Sequence, residues 1–153
     1  MLGLPIDGAT LTSRVGADWF EFFHRLLGIE VHDDGRSIVG GRLHIPWLDH
    51  HFAHLAEDAN EITALRFAHA YILILIGGTL SVDHSTTFIH LMYLPLLEDL
   101  DQVGQYSWGP TCLAYTYKAL CSACRIDKMQ ITGCIILLQM WVWEHIPHLA
   151  PHA

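Results

Sequence analysis

The chain is predicted to fold as an all-α single domain. Three observations carry that prediction. Apolar residues recur at helical spacing along nearly the whole length. Helix-starting and helix-stopping residues stand at the ends of those periodic stretches. No low-complexity tract, repeat or linker divides the 153 residues, a length that suits one domain with its own core. The expectation is about six helices, two of them central and buried, with a small hairpin near 29–43 as the one exception.

Thr12 or Ser13 can cap the first helix. Val15, Trp19, Phe22, Phe23, Leu26 and Leu27 follow at helical spacing, and Gly28 supplies a left-handed stop. Asp34-Gly35, between Ile29/Val31 and Ile38/Val39, fits a hairpin and equally a plain loop. Pro46 suits the first turn of a second helix, where a missing N–H costs nothing. Trp47, Leu48, Phe52 and Leu55 form its apolar side. Asp58 and Glu61 have capping-box spacing and open a third helix through Leu65, Ala68, Ile72 and Ile76, which Gly77-Gly78 close. Its last turns are apolar all round, so burial on every side is expected.

Asp83 or Ser85 starts a fourth helix with Phe88, Leu91, Leu94 and Leu97, kinked at Pro95. Pro110 begins a fifth, with Leu113, Tyr117, Leu120, Cys121 and Cys124 on one face. A sixth runs from about Gln130 to His145, apolar on nearly every face, and Pro147 and Pro151 end it. The helices near 62–76 and 131–145 are the expected buried centre.

Composition narrows the function. Hydrophobic residues make up 52% and charged residues 16% of the chain, which argues against disorder. Such an apolar surplus points to surface that a neighbour covers. The longest apolar runs, Ala70–Ile76 and Ile135–Val142, fall short of the ~20 residues of a bilayer span and are read as buried helices. The formal charge is −8, from 8 basic and 16 acidic residues. The basic residues are scattered, and Glu98, Asp99 and Asp101 form an acidic cluster, so direct nucleic-acid binding is not expected. No secretory signal is seen, and four cysteines then read as reduced thiols.

Several constellations invite a chemical reading. Cys121-Ser122-Ala123-Cys124 has redox or zinc spacing, but a helix C-terminus disfavours a thiolate. Cys134, His145 and His148 are the ligands that zinc could recruit to it. Both thiols continue an apolar face, so they are read as core packing. His50 and His54 stand one helical turn apart, as in zinc proteases, but without the catalytic glutamate between them. A pyridoxal-phosphate site would need a Schiff-base lysine and a phosphate cradle. Lys118 and Lys128 are the lysines of the chain, and neither has a phosphate loop beside it. Trp108, Trp141 and Trp143 are read as core, with an exposed hot spot as the alternative. Arg66, in an apolar stretch, should pair with Glu144 or Asp99.

The order of motifs closely resembles the plant mobile domain, the family of the Maintenance of Meristems proteins, often labelled aminotransferase-like. Leu4-Pro5-Ile6-Asp7-Gly8 is similar to its opening. Arg66, Ala70-Tyr71-Ile72-Leu73 and Ile76-Gly77-Gly78 look like its central helix. Leu94-Pro95-Leu96-Leu97-Glu98-Asp99-Leu100 matches its next helix. Tyr106-Ser107-Trp108-Gly109 and Leu137-Leu138-Gln139-Met140-Trp141-Val142-Trp143-Glu144 complete the order. Residues 29–58 match least. Gly109-Pro110-Thr111 and His145 depart from the family pattern, and the chain is read as a partial or shortened member, residues 1–153 forming one domain.

The resemblance implies a nuclear, non-enzymatic module that works through protein partners, a phosphatase-like protein among them. It also implies links to meristem maintenance, transposon silencing and genome stability. No catalytic, cofactor or metal residue is assigned. A metal or redox protein built on Cys121 and Cys124, or a transposon-derived fragment without present function, remains the alternative. High apolar content leads to one further expectation: the isolated chain self-associates or needs a partner.

Overall fold

A computed structural model of the chain describes residues 5–11, 19–30, 37–79, 87–124 and 133–151. The predicted starts at Thr12 or Ser13 and at Asp83 or Ser85, the Asp34-Gly35 turn, and Lys128 lie outside those residues. The described elements are α1 (Trp19–Leu27), β1 (Ile38–Val39), β2 (Arg42–His44), α2 (Ile45–His51), α3 (Glu61–Thr79) and β3 (Phe88–His90). A 3-10 helix (Leu91–Leu97), α4 (Leu100–Val103), α5 (Trp108–Ala123), α6 (Ile135–His145) and a last 3-10 turn (Pro147–Leu149) follow.

The fold is mostly helical but not all-α. A three-stranded antiparallel sheet in the order β1-β2-β3 is present, its β1–β2 hairpin lying at the end of the stretch where a hairpin was expected and β3 extending it. The tight turn between β1 and β2 is Gly40-Gly41. Both glycines have positive φ, 58° and 73°, the geometry that a two-residue hairpin turn requires. Ile38 pairs with Leu43 and Leu43 with Ile89. All three side chains are buried, so this row is the inner face of the sheet. Phe88–His90 is therefore a strand, and the predicted α-helix does not start there. Pro95 lacks the N–H that an α-helix would need there, and the segment winds into the tighter 3-10 form instead. His90 caps it, its Nδ1 accepting the Met92 N–H at 3.2 Å.

α3 is the central element, as expected. It packs against α1, α2, β3 and the 3-10 helix. Its true cap is Asn60, not Asp58: the Asn60 Oδ1 accepts the Thr63 N–H at 2.8 Å. The helix runs through Gly77-Gly78 to Thr79. Glu61–Gly78 is long and apolar enough to cross a membrane by length and composition. Its contacts with four other elements give it the position of a core helix. Burial on every side does not follow, however: Leu73, Ala70 and Ile76 are inside, while Leu65 and Tyr71 are about half exposed.

The core is completed by Phe23 and Leu27 of α1, Leu48 of α2, Leu94 and Leu97 of the 3-10 helix, and Cys112 of α5. Pro46 sits in the first turn of α2, and Gly28 ends α1 with a φ of 69°. α6 corrects the expectation of a second buried helix. None of its residues is buried. An all-apolar sequence reports only that no side of a helix is polar; α6 instead packs on α5 and the last 3-10 turn.

Candidate interaction surface

Two of the sequence motifs meet in space. The carbonyl of Ala9 accepts both the N–H and the hydroxyl of Ser107, at 3.0 and 3.1 Å. Ala9 N–H donates to the Gln105 carbonyl at 3.0 Å, and Gly109 N–H to the Pro5 carbonyl at 3.0 Å. A single parallel bridge thus joins Ala9 to Tyr106, and Pro5 reaches Gly109 across the same corner. Gly8 is needed at this crossing, because a Cβ there would run into the backbone carbonyl of Gln105. Trp108 closes the corner: its Nε1–H donates to the Val103 carbonyl at 2.7 Å, and its ring is buried. The Tyr-Ser-Trp-Gly corner thus joins the amino-terminal segment to α5.

The corner launches α5. Its buried side is Trp108, Cys112, Thr116 and Ala119. The face read from the sequence as core points outward: Leu113 is 61% and Tyr117 69% exposed, and Cys121 and Cys124 are exposed. Periodicity located the apolar stripe correctly. It could not say which of two stripes, one headed by Trp108 and one by Leu113, faces inward. Lys118 is exposed on the same helix.

Thr116 joins α5 to the start of α6. Its hydroxyl donates to the Cys112 carbonyl at 2.8 Å and accepts the Cys134 N–H at 3.2 Å. Cys112 and Cys134 are both buried here. Burial pushes the Cys112 thiol up to about 12, and its hydrogen bond with Cys134 adds to the rise. The Cys112 thiol is therefore a poor nucleophile near neutral pH. Beyond this joint, α6 turns Ile135, Ile136 and Trp141 to the surface, each about half exposed. His145 stacks on Trp141, with ring centroids 4.4 Å apart, and its Nδ1 donates to the Trp141 carbonyl at 2.9 Å. Trp143 is half-buried. Trp141 is therefore exposed, against the core reading, while Trp108 is core.

The remaining candidates disperse. α2 ends at His51, whose Nδ1 donates to the Trp47 carbonyl at 2.9 Å; His54 lies beyond the helix, so His50 and His54 do not share a face. Among the described residues no group of three or more His, Cys, Asp or Glu is placed to hold a metal. Arg66 pairs with neither Glu144 nor Asp99 among those residues; its guanidinium lies across Gly28. Asp99 caps α4, accepting the Asp101 N–H at 3.0 Å and the Gln102 side-chain N–H at 2.8 Å. Glu98 pairs with Arg25 at 2.8 Å. The acidic cluster is thus built into local structure.

One exposed surface had no counterpart in the sequence reading. The outer side of α3 carries exposed Ala64, Leu65 and Tyr71, with half-buried Ala68 and Ile72 beside them, Ile72 also packed against the core. A helix apolar all round hides which side is outside. Its alanines and the acidic Glu57, Asp58 and Glu61 at its entrance were the available signals.

The family model of the plant mobile domain matches residues 1–153. The chain is 36% identical to Protein MAIN-LIKE 1 of Arabidopsis thaliana over 95% of its length, which is 29% of that relative. It is 35% identical to the Serine/threonine-protein phosphatase 7 long form homolog of the same plant, again over 95% of the chain but 11% of the relative. Protein MAINTENANCE OF MERISTEMS is 29% identical over 95% of the chain and 30% of its own length. The chain therefore spans less than a third of the relatives it matches here. No solved structure matches it. A family match over every residue, with its motifs joined at the Ala9–Ser107 corner, places the chain in the plant mobile domain family.

Proposed function

We propose that this chain is a non-enzymatic, helical protein-interaction module. One observation carries the reading: α5 and α6 present Leu113, Tyr117, Ile135, Ile136 and Trp141 to solvent as apolar surface. Large aromatic residues exposed beside aliphatic ones are the usual anchors of protein interfaces. The names of the relatives add direction. Maintenance of meristems is the role named for one relative, and another is named for a phosphatase. The proposed setting is a nuclear plant protein acting in meristem maintenance, transposon silencing and genome stability, with a phosphatase-like protein as partner. Direct nucleic-acid contact forms no part of the proposal, given the net charge of −8.

The test is co-expression in plant nuclei with the tagged phosphatase 7 long form homolog. Co-purification of the wild-type chain, lost in Trp141→Glu with unchanged circular dichroism, is the expected result. Equal recovery of the variant would overturn the choice of surface, and exclusion of the chain from nuclei would overturn the setting.

A further inference from the structure

The outer side of α3 is a second apolar surface, and its charges specify what fits it. Glu61, Leu65, Ala68 and Ile72 follow steps of four, three and four residues, and Ala64, Ala68 and Tyr71 steps of four and three, the pattern of a helix-pairing face in which Ala68 and Ile72 are half-buried and the others exposed. Leu65 and Tyr71 are 47% and 49% exposed, and the small alanines between them let another backbone come close. From Glu61 to Ile72 the face is about 17 Å long, some three helical turns. Its charge is one-sided. Glu57, Asp58 and Glu61 are all exposed at the N-terminal end, and among the described residues none of them forms an ion pair. Arg66, the cation within the helix, is turned away against Gly28.

We propose that this face docks an amphipathic helix of a partner protein, antiparallel to α3, with basic residues in its C-terminal turn. Antiparallel pairing brings that turn beside Glu57, Asp58 and Glu61. Lysine or arginine is favoured there twice, by the three carboxylates and by the partner's own helix dipole. A second copy of this chain fits less well, because antiparallel α3 helices would bring no cation to the acidic end. The inference deepens the interaction-module reading by naming a partner's chemistry, and it rests on a different surface from the one containing Trp141.

The probe is a synthetic helical peptide of about 18 residues with a leucine-alanine face and three lysines in its last turn. The comparison peptide has the same face and the lysines in its first turn. Titration into the full chain should show roughly tenfold tighter binding of the first peptide at low salt. Leu65→Glu should abolish that binding. A Glu57→Lys, Asp58→Lys, Glu61→Lys variant should lose the preference. Trp141→Glu should bind the peptide normally, so failure here and failure of the α5–α6 reading can be told apart. Equal binding of both peptides, or no binding, would overturn the proposal. So would Leu65-dependent dimerisation seen by sedimentation, or Leu65-dependent binding to phosphatidylcholine vesicles, each of which assigns the face to another occupant.

Discussion

The hydroxyl of Thr116 accepts the N–H of Cys134 at 3.2 Å in a buried setting, and this bond ties α6 to α5. Neither end of it can be exchanged for water without opening the joint. Thr116→Val keeps the shape and removes the acceptor, leaving a buried N–H unpaired, at a cost of about 1–3 kcal/mol. Hydrogen exchange should show residues 135–145 losing protection well before α3. Uniform loss across both helices would mean that the joint is not local.

The joint also separates a central helix from a peripheral one. Leu73 is fully buried in α3, so Leu73→Ala should cost about 2–5 kcal/mol through lost burial and the cavity left behind. Ile136→Ala, on the exposed side of α6, should stay within about 1 kcal/mol. Thermal melts of the two variants check this. Equal destabilisation would restore α6 to the core.

Gly8→Ala tests the corner that links the two ends of the motif order. The new methyl must displace the Gln105 carbonyl, and with it the bonds from Ala9 and Ser107. The expected cost is about 1–3 kcal/mol, with early proteolysis of the amino-terminal segment. A variant as resistant as the wild type would show that residues 5–9 do not need the corner.

His69 makes stability depend on pH. It is buried on α3, and burial lowers its pKa below the ordinary 6.5, although the nearby Leu97 and Leu26 carbonyls favour the charged form. Neither ring nitrogen closes a hydrogen bond. His90 is lowered too, first by burial and then by Arg42. The unfolded chain therefore binds protons near pH 6.5 that the folded chain refuses until lower pH. Stability from this source is full above 6.5 and falls as pH drops below it. His69→Leu should flatten that slope in denaturant titrations between about pH 7 and 5. An unchanged slope would assign the dependence to other groups.

Much of this architecture could be read from residue order. Pro46, Gly28 and the apolar period of α3 gave correct elements because each acts within one helical turn. The errors share one cause. The strand at Phe88–His90 exists because it pairs with β2, more than forty residues earlier, and no local signal reports that. The Leu113–Tyr117 face and the whole of α6 read as core because apolar character alone does not say what lies opposite. Those same misread faces became the candidate surface. His50 and His54 failed differently: an i,i+4 pair has meaning only while the helix continues, and α2 stops at His51.

Hydroxyl-radical footprinting read by mass spectrometry tests the outward α5–α6 surface most directly. In the free chain, Tyr117 and Trp141 should be oxidised rapidly, while buried Trp108 and Tyr93 react slowly. With the phosphatase 7 long form homolog at saturation, Tyr117 and Trp141 should become protected. Tyr117 and Trp141 as protected as Trp108 in the free chain, or unchanged in the complex, would contradict the account.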